Sequence, residues 1–358
     1  MRVIIVSRGD FIHLDPFLEA MLLRDWDVHL ASLSPWRFPR SGVTYHKCYL
    51  SQFKPLSYAY GAWRLRQLAR RVQPDFVWAH YASSAGTAAW LSGVRPYCVT
   101  VHGSDVFDVS KRRLGRSVLR HVLDGANCVH AVSPQSAARV SELTFGDQGS
   151  ITAPFGIDVD ALPYREPSFR DPVRLVCTRS LQYTVYDIPT ILKAVQLMNR
   201  RNQLVRLSLC GGGMLQHELE NLAVKFDVRD QVDFMGGYAP KDLLSILHSH
   251  DIYISAALSD GASLSLMEAM SAGLFPVVSD IPANRDWLED EMSFFPPGDA
   301  AALAERIASA IQKQYRLSER TWQNRAKVNQ LGDRQRNLNR ILDHLVNLSL
   351  DESNRITL

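Results

Sequence analysis

At 358 residues, with 46% hydrophobic and 22% charged side chains, the chain is long enough for two α/β cores and too apolar for a disordered protein. No apolar run approaches the roughly 18 residues that span a bilayer, and Arg8, Asp10 and Asp15 break the first one where a secretory signal needs continuity. The formal charge of +3 divides unevenly, with 18 Lys/Arg against 13 Asp/Glu in residues 1–160 and 22 against 24 beyond, so the first half is expected to face an acidic partner.

In chain order, short β-branched runs alternate with helical patterns. Strands are predicted at 3–6, 28–30, 76–79, 97–101, 128–131 and 151–153, and helices at 16–22, 57–72, 84–92 and 112–124. That alternation predicts βαβ units and a parallel sheet. Pro154, Gly156 and a proline-containing stretch to Pro172 break the pattern and predict an interdomain linker. A second series follows, with strands at 174–177, 206–210, 232–235, 252–255 and 275–279 and helices at 188–200, 214–226, 240–247 and 264–272. From about residue 300 the chain reads as charged helix. The five cysteines are widely spaced without a CxxC pair, which predicts reduced, buried thiols. No repeat or low-complexity tract suggests a solenoid.

The strongest chemical signal runs from Ser259 through Asp260, Gly261, Ser263, Leu264, Ser265 and Glu268 to Gly273, a polar loop entering a helix just after a strand. Open α/β sheets bind ligands at such strand ends. The N–H groups of residues 263–266 lack helical partners and suit a diphosphate, because the helix dipole favours negative charge there. Glu268 is placed to accept two ribose hydroxyls, and Asp260 to reach the other end of the same ligand. The plain alternative is an acidic capping turn before an ordinary buried helix.

This segment resembles the family 4 retaining glycosyltransferases of the GT-B fold, which carry two glutamates separated by seven residues, then Ala-Met and a Gly-x-Pro-like step. Here Glu268, Ala269, Met270, Gly273 and Pro276 match, and Asp260 replaces the first glutamate. Three other stretches match in order: Pro154 to Asp158, with Phe155 for the usual asparagine; Gly211-Gly212-Gly213; and Val232 to Gly236. The resemblance implies two Rossmann-like parallel-sheet domains facing across a cleft, an acceptor domain over 1–163 and a nucleotide-sugar donor domain over 170–310. A helical tail over 311–358 is expected to pack across their junction.

It also implies a metal-independent hexosyltransferase acting with retention on a nucleoside diphosphate sugar, without cofactor, in bacterial polysaccharide or lipid-linked glycan synthesis. By this likeness His102 bonds a donor-sugar hydroxyl, Arg179 clamps the diphosphate, and Gly211 and Tyr238 line the donor site. Gly9, Asp10 and His13 form a loop near acceptor or diphosphate. The lysine expected six or seven residues after Arg179 is absent, Val185 and Tyr186 standing there. Asp158-Val159-Asp160 lies in the linker and is read as structural, so no catalytic metal is expected.

Basic and aromatic residues interleave in the first half (Trp36 to Arg40; Trp63, Arg64, Arg66, Arg70, Arg71; Lys111 to Arg120). They suit peripheral contact with the inner face of an anionic membrane, or else plain solvated helix faces. No nucleic-acid motif accompanies them. The cytoplasmic location expected here follows instead from the lack of a spanning run and of a signal-like first segment. Two other readings remain: a non-catalytic GT-B scaffold or regulatory subunit, which should release no nucleotide from a donor, and a sugar-nucleotide 2-epimerase, which needs further acid/base carboxylates and no acceptor.

Overall fold

The computed structural model describes residues 1–8, 14–36, 39–50, 54–146 and 149–350. The chain divides into two compact units, Met1–Phe155 with Gln335–Leu358 and Gly156–Arg334.

The first unit is built on an all-parallel sheet of β1 (Arg2–Ser7), β2 (Asp27–Ser32), β3 (Val43–Lys47), β4 (Phe76–His80), β5 (Tyr97–Val101), β6 (Cys128–Ala131) and β7 (Ile151–Thr152). Its strand order is β3-β2-β1-β4-β5-β6-β7. The central strands β4 and β5 are buried along their whole length, as expected where helices cover both faces of a parallel sheet. Residues after Arg334 rejoin this unit: Arg24 donates to Asp343 (2.8 Å) and Asn339 (2.9 Å), and Leu338, Ile341, Leu342 and Leu345 are buried.

The second unit holds β8 (Val173–Cys177), β9 (Val205–Leu209), β10 (Val232–Phe234), β11 (Ile252–Ser255), β12 (Phe275–Ser279) and β13 (Phe294–Phe295), again all parallel, in the order β10-β9-β8-β11-β12-β13. In both sheets the order reverses beside the first strand, and the crevice at that reversal is where such sheets accept ligands.

The helix Ile188–Arg200 has the predicted bounds, with Pro189 in its first turn and a continuous buried stripe from Ile188 to Met198. Among the described residues the structure adds two strands and one longer helix to the predicted set, besides shorter helical turns such as Ser104–Phe107 and Pro282–Arg285. Strand β3 is a half-buried edge with polar Thr44, His46 and Lys47, and β13 has only two residues. A helix over Pro134–Leu143 is capped by Ser133, whose hydroxyl accepts from the Ser136 amide.

Candidate active site

In the second unit the loops leaving β8 and β11, the two strands at the reversal, carry Arg179 and Asp260. Arg179 is 7% exposed. Its Nη2 donates to Asp260 Oδ2 at 2.5 Å, its Nε to Ser255 Oγ at 3.3 Å, and its guanidinium stands 5.1 Å from the centre of the Tyr186 ring. Burial opposes the Arg179 charge, yet the oxygens of Tyr253 and Asp260 outweigh it and raise the pKa. Burial also acts against the Asp260 carboxylate. The Arg179 charge and hydrogen bond, with the amides of Gly261 and Ala262, overcome it and hold the group below its usual range.

Asp260 leads into the helix Leu264–Ala272, whose bounds match the predicted ones. Ser263, just ahead of it, is left-handed at φ 42°. The Ser263 carbonyl accepts from the amides of Leu266 (3.0 Å) and Met267 (3.2 Å), so the amides without an intrahelical acceptor are those of Leu264 and Ser265. The Ser265 hydroxyl bonds Tyr253 Oη at 2.8 Å. At the other end Gly273 closes the helix at φ 97°, where a Cβ would lie 2.1 Å from the Arg165 carbonyl oxygen. Arg325 Nη1 donates to Leu162 O (2.6 Å) and Ser271 O (2.9 Å), tying the linker to the last turn.

Glu268 lies one turn into this helix and is partly buried. Burial pushes its carboxyl up to about 7, against the pull of Arg334 and Arg179. Tyr238 is close enough to feel that carboxylate, and its phenol is raised first by burial and then by Glu268. The structure therefore gathers Arg179, Asp260, Ser263, Leu264, Ser265, Glu268 and Tyr238 around one end of the second sheet. The sequence reading had no signal for Tyr253, Asn284 or Arg334, whose roles depend on contacts distant along the chain.

Gly211 contributes through its lack of a side chain. A Cβ there would lie 2.2 Å from the Arg179 carbonyl oxygen, and one on Gly213 would lie 2.0 Å from the Leu181 carbonyl carbon. The two loops cross at these glycines, joined by the Leu181 amide to the Gly212 carbonyl (3.0 Å). Gly211→Ala should therefore displace the Arg179 backbone, costing about 1–3 kcal/mol of stability, the usual range for overpacking. Thermal melting together with nucleotide titration checks this. A variant with unchanged melting temperature and affinity would show that the crossing tolerates a methyl group.

In the first unit His102 follows β5, and its amide donates to Asp105 Oδ1 at 2.9 Å. Asp105 Oδ2 accepts from the Ala82 amide at 2.8 Å, so one buried carboxylate pins the loops after β4 and β5 together. Burial pushes that carboxyl up to about 6, despite four backbone N–H groups directed at it. The His102 ring stacks on Tyr81 (centroids 4.0 Å apart) and meets Phe155 at 5.3 Å. Phe155 also contacts Phe17 (5.2 Å) and His130 (5.8 Å), filling with an aromatic ring the position where the resemblance expects asparagine. Beneath them burial lowers His80 to about 3 and His130 to about 4, so both rings are neutral near pH 7.

Gly9, Asp10 and His13 lie outside the described residues. In the linker Asp158 Oδ1 accepts from the Ala161 amide at 3.0 Å, closing a turn. Lys111, Arg112, Arg113, Leu114 and Arg116 are all exposed, and no described helix is long and apolar enough to cross a membrane.

Two family models match the chain, Glycosyl transferase 4-like over residues 2–133 and Glycosyl transferases group 1 over residues 166–328. The GDP-mannose-dependent alpha-(1-6)-phosphatidylinositol monomannoside mannosyltransferase of Mycobacterium tuberculosis is 28% identical over 237 residues, 60% of this chain and 60% of its own length. The chain thus spans less than two thirds of that relative. Among solved structures, sucrose-phosphate synthase from Thermosynechococcus elongatus superposes with a TM-score of 0.78 at 16% identity, covering 97% of this chain and 99% of that one. Anabaena Alr3699/HepE in complex with UDP and glucose gives 0.75 at 15% identity, covering 97% and 100%. At these identities the likeness shows the fold.

Proposed function

Because the chain belongs to the group 1 glycosyl transferases and has the GT-B fold, we propose that it moves a hexosyl group from a nucleoside diphosphate sugar to an acceptor hydroxyl with retention. The observation that carries this reading is the buried Arg179, held by Asp260 beside the open amides of Leu264 and Ser265 at the sheet's reversal point. A guanidinium and two amides form a preorganised cradle for charge that develops on a departing diphosphate.

In the proposed step the bond from the anomeric carbon to the diphosphate oxygen breaks, and the acceptor oxygen bonds that carbon on the same face. The acceptor proton passes to the leaving phosphate oxygen. Arg179 and the two amides hold the charge left behind, Glu268 accepts the ribose hydroxyls, and Asp260 limits where the guanidinium can point. His102 is assigned to a substrate hydroxyl. No step calls for a resident cofactor or metal. The Mycobacterium tuberculosis relative is named as GDP-mannose-dependent and as acting on a phosphatidylinositol glycolipid, which supports a glycan or lipid-linked acceptor here.

The test is a panel of nucleotide sugars scored by thermal stabilisation. A donor held at 100 times its Kd should add about 2.7 kcal/mol to folding stability and raise the melting temperature, and the same donor should release nucleoside diphosphate when an acceptor is supplied. A panel of UDP, GDP, ADP and dTDP sugars in which none stabilises the protein would overturn the reading.

A further inference from the structure

Asn284 lies just beyond β12 and is fully buried, at 0% exposure. A buried carboxamide has to satisfy both of its ends. Here Nδ2 donates to the Ser279 carbonyl at the end of β12 (2.8 Å), and Oδ1 accepts from the Ser263 hydroxyl (2.7 Å). Ser263 is itself 1% exposed and sits at φ 42°, ψ 45°, a left-handed conformation that a residue with a Cβ keeps only under constraint.

Ser263 also occupies the position preceding the helix Leu264–Ala272, where a serine ordinarily turns its hydroxyl onto one of the first helical amides. It makes no such cap. Its hydroxyl faces Asn284 and, at 3.4 Å, the Asp260 carboxylate oxygen that grips Arg179. The hydroxyl's single proton goes to Asn284 at the shorter distance, so Asn284 anchors Ser263 three residues from the Asp260 that binds Arg179.

We infer that Asn284 is a positioning residue for the diphosphate of the donor. By accepting the Ser263 hydroxyl it fixes the left-handed residue ahead of the helix, and with it the direction in which the Leu264 and Ser265 amides face an anion. Through Ser263 it also keeps residues 260–263 in the register in which Asp260 meets Arg179. The inference rests on the donor reading given above and adds a residue that reading does not contain. A merely structural asparagine would affect nucleoside and diphosphate binding alike, whereas a positioning one acts on the diphosphate alone.

The experiment is calorimetric titration of UDP and GDP, with uridine and guanosine at millimolar concentration as controls, into wild type, Asn284→Ala, Ser263→Ala and the double variant. Each single variant should lose about tenfold in affinity for the nucleoside diphosphate that wild type binds, the size expected for hydrogen bonds to a charged group. The double variant should lose no more than the worse single one, because both break the same link, and nucleoside binding should hold. Should Asn284→Ala fail to fold, Ser263→Ala, which removes one hydroxyl, decides the matter alone. Unchanged affinity in the folded variants, additive losses, or an equal loss for the free nucleoside each overturn the role of Asn284 while leaving the donor reading intact. Wild type that binds neither UDP nor GDP moves the titration to ADP and dTDP, and wild type that binds none of the four overturns both together.

Discussion

Arg179→Ala is expected to lower kcat/KM by about 10³, with the loss in kcat as well as KM. Removing one preorganised donor from developing charge typically costs about 10²–10³, and here little else can compensate. The position where the resemblance expects a second cation holds Val185 and Tyr186, and the Tyr186 ring contacts the guanidinium without bringing charge of its own. The substitution also strands Asp260, whose side chain is 16% exposed and whose ionised state depends on Arg179. Breaking a buried pair from one side usually costs about 3–5 kcal/mol, so the melting temperature should fall too. The two effects separate in Arg179→Ala with Asp260→Asn, where the stranded charge is gone: stability should recover and turnover should not. Arg179→Lys should fall between wild type and alanine, since an ammonium keeps the charge but cannot match the fork that reaches Ser255 and Asp260 at once. Steady-state kinetics paired with thermal melts read all three, and an Arg179→Ala enzyme within tenfold of wild type would remove the arginine from the reaction.

The elements that hold this site were readable in the sequence for identifiable reasons. At the reversal point β11 is buried along its whole length and β8 at every residue but Arg174, so their apolar runs were readable. The helix behind Asp260 was bounded by a polar loop and by Gly273, whose left-handed conformation and crowding by Arg165 require glycine. Elements whose burial is partial gave weaker patterns: β3 exposes Thr44 and Lys47 at a sheet edge, and β13 is too short to show any period. The Pro134–Leu143 helix did carry a signal, Ser133 followed by Pro134, which is a common way to start a helix. Contacts that shape the chemistry were illegible for a different reason. Asn284 meets Ser263 across 21 positions of chain, and Arg334 reaches the field of Glu268 from still farther away, pairings that only the folded sheet creates. The replacement of asparagine by Phe155 was visible, but its packing on His102, His130 and Phe17 was not.

Affinity for the sugar donor should rise with pH through about 7, and Glu268→Gln should abolish that rise. Burial pushes the Glu268 carboxyl up to about 7, and Arg334 and Arg179 only partly offset it. An ionised carboxylate offers two acceptor oxygens to two ribose hydroxyls, whereas the protonated form turns one of them into a donor that neither hydroxyl needs. Below the raised pKa the carboxyl must lose its proton before it can bind the ribose, so affinity should drop by up to about tenfold per pH unit. Above it, affinity should level off. The stability consequence has the opposite sense: the folded chain holds this proton more tightly than the unfolded one, so Glu268 weakens folding as pH rises from the ordinary glutamate range to about 7 and has no further effect beyond. Opposed slopes of this kind separate a ligand-binding carboxylate from one that merely tolerates burial. The intact nucleotide sugar is the right probe, because its diphosphate is a diester with no proton to gain in this range, unlike free UDP or GDP. Calorimetry in buffers of different ionisation enthalpy should then detect a proton released on binding below about pH 7 in wild type and none in Glu268→Gln. Donor affinity that stays flat from about pH 6 to about pH 8, or a glutamine variant that still follows pH, would take Glu268 off the ribose.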